Sequence, residues 1–123
     1  MYLIDTNVLI LAIAKKDPDY SFLQKLIVKN QLFLSVISVA EFLSQASHGD
    51  EMELDRLLST FPVLVVDVEI ARLAGQYRKK FLKKRRTQLL DYFLAVQAKV
   101  RNLTLVTNNK SDFPMRDIKI ISP

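Results

Sequence analysis

The sequence predicts an α/β fold, a three-layer sandwich in which a mainly parallel sheet of about five strands is flanked by helices. Short apolar runs alternate along the chain with segments of helical periodicity, which is the pattern of a parallel sheet covered on both faces. The 123 residues, 50% hydrophobic and 25% charged, suit one globular unit with one core, a single domain over residues 1–123. With 2 glycines, 4 prolines and no internal repeat, long regular elements are favoured over linkers or solenoids.

The first elements meet at a polar tripeptide. The apolar run 2–4 predicts a short strand, and it leads directly into Asp5-Thr6-Asn7, whose side chains all favour a helix start. Residues 8–14 are apolar on every side, so their helix is expected in the core or against a partner. A second helix is expected from Pro18 to about Asn30, because its apolar residues form one stripe.

Two candidate capping boxes mark the middle of the chain, after a strand predicted at residues 31–36. The box Ser38-Val39-Ala40-Glu41 predicts a helix that runs to residue 46 and ends before Gly49. The box Asp50-Glu51-Met52-Glu53 predicts another helix that runs to residue 60.

The second half of the chain contains three predicted strands and two predicted helices. The strands are expected at residues 63–66, 103–106 and 118–121. Asp67 suits the N-cap of a long helix. The apolar face of that helix repeats at helical spacing: Ile70, Leu73, Ala74, Tyr77 and Phe81. The next helix is expected to start at Thr87.

Missing residue types exclude several kinds of chemistry. The chain has no cysteine, which excludes disulfides, thiolate zinc sites and cysteine nucleophiles. Its single histidine, His48, is expected on the surface and cannot supply a two-histidine catalytic pair. Neither a signal peptide nor an apolar run of about 20 residues is evident. We therefore expect a cytoplasmic protein that has no membrane segment and works with carboxylates, hydroxyls, amides and cations.

The positive charge is concentrated in one segment. The formal net charge is +5, and residues 78–86 include seven of the 18 lysines and arginines. This is more than the dipole at a helix C-terminus attracts, so the surplus indicates a phosphate-binding rim; the alternative is an ordinary solvated helix end. The residues expected to bind phosphates are Lys79, Lys80, Lys83, Lys84, Arg85 and Arg86.

Three acidic residues lie among apolar neighbours: Asp5, Glu41 and Asp91. Right-handed crossovers place Asp5 and the segment 107–113 at the carboxyl edge of the sheet, and Glu41 and Asp91 are expected at helix N-termini facing the same edge. Carboxylates that repel one another persist together when a cation lies between them, and oxygen ligands select Mg²⁺ or Mn²⁺. A simpler interpretation is that Asp5 caps a helix and Glu41 completes the box of Ser38.

Four segments together resemble the motifs of the PIN-domain family, in particular the VapC-type toxins of toxin–antitoxin systems. The segments are LIDTNVLI at residues 3–10, SVISVAEFL at 35–43, LLDYFLAVQAK at 89–99 and LVTNNKSDF at 105–113. Their order and spacing extend the resemblance over nearly the whole chain. The resemblance implies a metal-dependent endoribonuclease that is the toxin of a type II pair.

The resemblance also implies roles for individual residues. One or two divalent ions, Mg²⁺ or Mn²⁺, would be held by Asp5, Glu41, Asp91 and Asp112, with Asn109 as the competing candidate for the fourth position. A metal-bound water would attack a backbone phosphate in line. Supporting hydrogen bonds are expected from Thr6, Asn7, Thr107 and Asn109. The implied partners are an RNA substrate bound by the basic run, a cognate antitoxin and a second copy of the chain in a homodimer.

Two other functions stay open from the sequence. A receiver-like phosphoacceptor domain would use Asp67 as its phosphorylated residue and Thr107 as its switch hydroxyl. Such a site needs two adjacent acids after its first strand, where this chain has Asp5-Thr6-Asn7. The other alternative is a PIN-like module that binds RNA or a protein without cleaving it, because a fold does not guarantee an activity.

Overall fold

The structure is a computed structural model that describes residues 1–81 and 88–123. Its sheet has five strands in the order β3–β2–β1–β4–β5, and each neighbouring pair is parallel. The strands are β1 (Tyr2–Ile4), β2 (Leu32–Ser35), β3 (Val63–Leu64), β4 (Thr104–Val106) and β5 (Ile120–Ile121). The predicted α/β class and the predicted number of strands are therefore confirmed.

Six α-helices are present in the described part of the chain. They are α1 (Thr6–Ile13), α2 (Asp19–Val28), α3 (Val36–Leu43), α4 (His48–Thr60), α5 (Val68–Lys80) and α6 (Leu89–Val100). A single turn of 3₁₀ helix, Lys110–Asp112, follows β4. No helix among the described residues is both long and apolar enough to cross a bilayer.

Two hydrophobic cores lie on opposite faces of the sheet. Successive strand residues point to opposite faces, so Leu3 packs into the core with α5 and α6, whereas Ile4 packs into the core with α1 to α4. Leu105 and Val106 of β4 divide between the two cores in the same way. This alternation in the central strands produces the three-layer sandwich.

The register of the central strands brings two polar residues to one edge. Ile4 of β1 pairs with Val106 of β4, and both side chains are fully buried. Asp5 and Thr107 directly follow these paired residues, so they leave the sheet side by side. From the neighbouring strands β1 and β4 the chain continues in opposite directions across the sheet, to β2 and to β5, and ligands bind at such a switch point in open α/β sheets.

The capping of α3 and α4 differs from the prediction. The N-cap of α3 is Ser35, whose hydroxyl accepts a hydrogen bond from the Ile37 amide, and Ser38 is buried inside the helix. Because β2 ends at Ser35, the helix begins three residues earlier than the predicted box. The N-cap of α4 is Ser47, and Asp50 is the third helical residue of a capping box rather than the cap.

The remaining boundaries follow from the same local chemistry. Gly49, expected to mark a helix end, lies inside the first turn of α4, next to the exposed His48. The capping of α5 by Asp67 is confirmed, since its carboxylate accepts a 2.9 Å hydrogen bond from the Ile70 amide. Thr87, the predicted start of α6, lies outside the described residues.

Candidate metal centre and active site

A cavity of about 400 Å³ opens at the carboxyl edge of the sheet. All four acidic residues singled out from the sequence line it, together with polar residues of α1, of the segments directly after α3 and before α6, and of the loop after β4. The lining residues are Asp5, Thr6, Asn7, Glu41, Ser44, Gln45, Gln88, Asp91, Asn109 and Asp112. Residues that are more than 100 positions apart in the sequence thus face one space.

Asp5 is the most deeply buried of these carboxylates, with 6% of its surface exposed. It is the N-cap of α1, and its Oδ1 accepts a 2.7 Å hydrogen bond from the Thr6 amide. Its Oδ2 accepts another, also 2.7 Å, from the Thr107 hydroxyl. Burial raises the pKa of Asp5; the two hydrogen bonds oppose this, and the charges of Glu41 and Asp112 add to it. Asp5 is therefore both a helix cap and a charged residue of the cavity.

Asp91 is the third residue of α6 and lies near its N-terminus, as predicted. Its Oδ2 accepts a 3.0 Å hydrogen bond from the Gln88 amide. Partial burial raises the pKa of Asp91 to about 6, against the lowering effect of that hydrogen bond. The charges of Asp5, Asp112 and Glu41 raise this pKa further. The four carboxylates therefore repel one another across the cavity.

Glu41 reaches the cavity from a different position than predicted. It is the sixth residue of the eight in α3, so it does not lie at the helix N-terminus. Because Ser35 caps α3, the interpretation of Glu41 as the partner of Ser38 in a capping box is wrong. Instead, Glu41 Oε1 accepts a 2.6 Å hydrogen bond from the Thr6 hydroxyl, which ties α3 to α1.

Asp112 and Asn109 both line the cavity from the segment after β4. The amide of Asn109 donates a 3.0 Å hydrogen bond to the Thr107 hydroxyl, which itself donates to Asp5. Asp112 ends the 3₁₀ turn, and its negative charge raises the pKa of both Asp5 and Asp91. The two candidates for the fourth acidic position therefore face the same space.

Several other cavity residues were missed by the sequence analysis. Ser44 and Gln45 follow Glu41 by three and four positions, which is one helical turn, and this spacing is the signal that would have found them. Gln88 precedes α6 and carries no comparable signal. Another missed contact supports the loop from outside the cavity: the Asn108 side chain donates a 2.8 Å hydrogen bond to Asp19, which is 3% exposed.

The carboxylates surround the cavity instead of meeting at one point. Across residues 1–81 and 88–123, no three His, Cys, Asp or Glu side chains are grouped tightly enough to form a metal site by themselves. The carboxylates of Asp5, Glu41 and Asp91 are each held by a hydroxyl or amide donor. The cavity therefore presents anchored oxygen atoms around a polar volume.

The residues assigned to other roles lie apart from this cavity. Lys79 and Lys80 are exposed at the C-terminal end of α5, and neither lines the cavity. The other four predicted phosphate-binding residues, Lys83, Lys84, Arg85 and Arg86, lie outside the described residues. Asp67, the phosphoacceptor in the receiver-like alternative, caps α5 and does not line the cavity either.

Comparisons with known proteins agree with this architecture. The family model described as PIN domain matches residues 2–118. Ribonuclease VapC10 of Mycobacterium tuberculosis is 33% identical over 116 residues, which cover 94% of this chain and 87% of that protein. Ribonuclease VapC2 of Rickettsia felis is 30% identical over 124 residues, covering 92% of this chain and 90% of that protein.

A solved structure extends the agreement to three dimensions. In the crystal structure of VapBC2 from Rickettsia felis bound to a DNA fragment from its promoter, the matching chain superposes with a TM-score of 0.79 at 26% identity. The match covers 98% of this chain and 97% of that chain. The sequence resemblance is thus confirmed by a family match along almost the full length and by the fold, and the chain belongs to the PIN domain family.

Proposed function

We propose that this protein is a divalent-metal-dependent endoribonuclease and the toxin of a type II toxin–antitoxin pair. The observation that carries the proposal is the cavity in which Asp5, Glu41, Asp91 and Asp112 come together from four separate segments, where the negative charges of the others raise the pKa of Asp5 and of Asp91. The two ribonucleases with 33% and 30% identity, each matched over more than nine tenths of this chain, support the same reaction here.

The donor set suits a hard cation. The four acidic residues offer carboxylate oxygens, and the cavity lining contains neither histidine nor cysteine in its described part. Mg²⁺ keeps several of its waters and binds through one or two carboxylates plus substrate phosphates, so a ring of carboxylates around a polar cavity fits it better than a closed cage would. We propose Mg²⁺ or Mn²⁺, as one ion or two, with Asp112 favoured over Asn109 in the fourth position because an anionic carboxylate oxygen attracts a hard divalent cation more strongly than an amide oxygen does.

The chemistry divides between the ion and the protein. A bound divalent ion supplies an activated water at neutral pH and offsets the charge that grows on the phosphate. Thr6 and Thr107 hold the two oxygens of Asp5, which fixes that carboxylate at the end of β1. Glu41 uses Oε1 to accept from Thr6, so its Oε2 is available to accept a proton from the attacking water.

The remaining polar groups of the cavity serve the substrate in this proposal. Asn7 and Asn109 lie on the lining with Gln45 and Gln88, and their amide groups can donate hydrogen bonds to phosphate oxygens. The basic run from Lys79 to Arg86 would add phosphate contacts whose number sets the salt dependence of RNA binding.

The proposed partners follow from the family. We propose that a cognate antitoxin inhibits the chain, that the chain forms a homodimer, and that the pair acts in the cytoplasm. The relatives named VapC and the solved VapBC2 complex support an antitoxin.

The proposed activity is tested by asking whether RNA cleavage depends on a divalent metal and on the charge of Asp5. Purified protein is incubated with RNA in chelator and then with Mg²⁺ or Mn²⁺ added back. We expect cleavage only with metal, leaving 5′-phosphate and 3′-hydroxyl ends.

Asp5→Asn keeps the helix cap but removes the charge, so it should fold and not cleave. The matched control is Asp55→Asn, which removes an exposed carboxylate from α4. Cleavage that survives full chelation, or no cleavage with any divalent ion, overturns the proposal.

A further inference from the structure

A second cavity, of about 440 Å³, shares no lining residue with the acidic cavity. Lys80 and Phe81 line it from the C-terminal end of α5, and Pro114, Arg116 and Asp117 line it from the segment after the 3₁₀ turn. Asp112 lines the acidic cavity and Pro114 lines the second one, so backbone geometry keeps the Cα atoms of these two residues within about 7 Å. The two cavities are thus close neighbours.

The second cavity has an excess of positive charge. The carboxylate of Asp117 is engaged, since it accepts hydrogen bonds of 2.7 Å from the Tyr77 hydroxyl and 2.5 Å from Lys99 Nζ. Lys80 and Arg116 are exposed, and neither forms a salt bridge with any acidic residue that the structure describes. Residues 82–87, which follow Phe81, contain no Asp or Glu that could neutralise them. Two cations therefore remain for an external anion.

The same cavity has an aromatic wall. Phe81 is partly buried, with its ring centroid 6.2 Å from that of Tyr77 and 5.5 Å from Lys80 Nζ. Pro114 adds a second apolar surface. A site for a small inorganic anion needs no such wall, whereas nucleic-acid bases stack on aromatic side chains while lysine and arginine contact the phosphates. The volume also falls within the usual range of ligand sites.

We propose that the second cavity binds a nucleotide of the RNA next to the one that is cleaved, with Lys80 and Arg116 contacting its phosphate and Phe81 stacking on its base. This inference rests on the proposed ribonuclease function. It extends the substrate contacts beyond the acidic cavity to Phe81 and Arg116, which the charge pattern of the sequence did not single out.

The role of the second cavity in substrate binding is tested by measuring KM and kcat of variants on an RNA that the unmodified protein cleaves. Arg116→Ser removes a cation and Phe81→Leu removes the ring but keeps an apolar side chain. Lys25→Ser is the control, since it removes one exposed charge from α2. We expect Arg116→Ser and Phe81→Leu each to raise KM about tenfold with kcat nearly unchanged, because the lost contacts bind substrate away from the reacting bond. KM values that match that of Lys25→Ser overturn the inference.

The salt dependence of binding separates the two kinds of contact. Fluorescence anisotropy of a labelled single-stranded RNA in chelator gives Kd at several salt concentrations. Arg116→Ser should flatten the plot of log Kd against log salt by about 0.7, the value for one lost phosphate contact, whereas Phe81→Leu should weaken binding without changing the slope. Equal slopes for Arg116→Ser and the unmodified protein reject the phosphate contact.

The two measurements also separate this inference from the proposed function. If the unmodified protein binds RNA but cleaves none with any metal, the proposed function fails, and the anisotropy comparison still decides whether the second cavity binds a nucleotide. If it cleaves RNA while both cavity variants behave like Lys25→Ser, the function stands and the second cavity has no part in it. Thermal melts of each variant establish that the protein being compared is folded.

Discussion

The hydroxyl of Thr107 joins the last segment of the acidic cavity to the first, because it donates a 2.7 Å hydrogen bond to the carboxylate of Asp5, 102 positions earlier in the chain. Thr107 is fully buried, and its oxygen also accepts from the Asn109 amide. One side chain therefore fixes both the carboxylate at the end of β1 and the loop that carries Asp112.

Thr107→Val tests the role of these hydrogen bonds, since it keeps the shape of the side chain and removes the hydroxyl. The hydrogen bond from Thr107 lowers the pKa of Asp5. Its loss should therefore raise that pKa and weaken metal binding. We expect the Mg²⁺ concentration for half-maximal cleavage to rise about tenfold or more. Thr104→Val, at the start of β4, is the control. An unchanged Mg²⁺ dependence would show that the hydroxyl does not support the metal site.

The raised pKa of Asp91 predicts a pH-dependent instability of the metal-free protein. Its pKa is about 6 in the folded state against an ordinary 3.8, so the folded state binds more protons between these values and loses stability as pH rises through this window. Asp91→Asn should therefore stabilise the metal-free protein at pH 7 and not at pH 4. Because water screens a half-exposed carboxyl, we expect a gain of about 1 kcal/mol.

Urea unfolding in chelator at the two pH values measures this gain. Asp50→Asn is a close control, because Asp50 occupies the same third position in α4 and accepts from the amide of its N-cap, as Asp91 does in α6. Both substitutions weaken the attraction to a helix dipole, but only Asp91 faces other carboxylates. A loss of stability at pH 7 in both variants would contradict the predicted repulsion.

Glu41→Gln separates charge from hydrogen bonding in α3. Glutamine keeps an oxygen that can accept from the Thr6 hydroxyl, so α1 and α3 should remain tied together. We expect cleavage to collapse, the metal-free protein to melt at the same temperature or higher, and added Mg²⁺ to raise the melting temperature less than in the unmodified protein. Glu69→Gln on α5 is the control. Cleavage at the unmodified rate would remove Glu41 from the site.

The hydrogen bond between Asn108 and Asp19 predicts that the two residues are coupled in a double-mutant cycle. Asn108→Ala leaves the nearly buried carboxylate of Asp19 without this 2.8 Å donor, which should cost about 1–3 kcal/mol. In the Asp19→Ala background, Asn108→Ala should cost much less, because no buried charge is left behind. Urea unfolding of the four proteins measures the difference. Costs that are equal in both backgrounds would show that the pair is not coupled.

The elements that sequence predicts well are those with a single local explanation. Five apolar runs became five parallel strands, and Asp67 caps α5 because only one capping residue stands between β3 and the next apolar stripe. The start of α3 was ambiguous, since Ser35 and Ser38 are both good caps and only the end of β2 decides between them. Pairing in the sheet is a tertiary property that a local pattern does not contain.

The same distinction applies to the acidic cavity. Asp5 and Asp91 are recognisable because a carboxylate among apolar residues is costly without a purpose, and the structure has both on the cavity lining. Gln88 and Arg116 are ordinary polar surface residues in the sequence. Tertiary packing brings Arg116 next to Lys80 and Phe81 at the end of α5, and no residue spacing along the chain predicts this contact.

The order in which the sheet is built also bears on synthesis of the protein. β1 is made first but lies in the middle of the sheet, and its neighbour β4 is separated from it by almost the whole chain. A growing chain that has emerged only through α6 carries Asp5, Glu41 and Asp91, yet it lacks Thr107 and Asp112. The acidic cavity is therefore incomplete until the segment after β4 has also been made, so its four carboxylates can come together only after synthesis has passed β4.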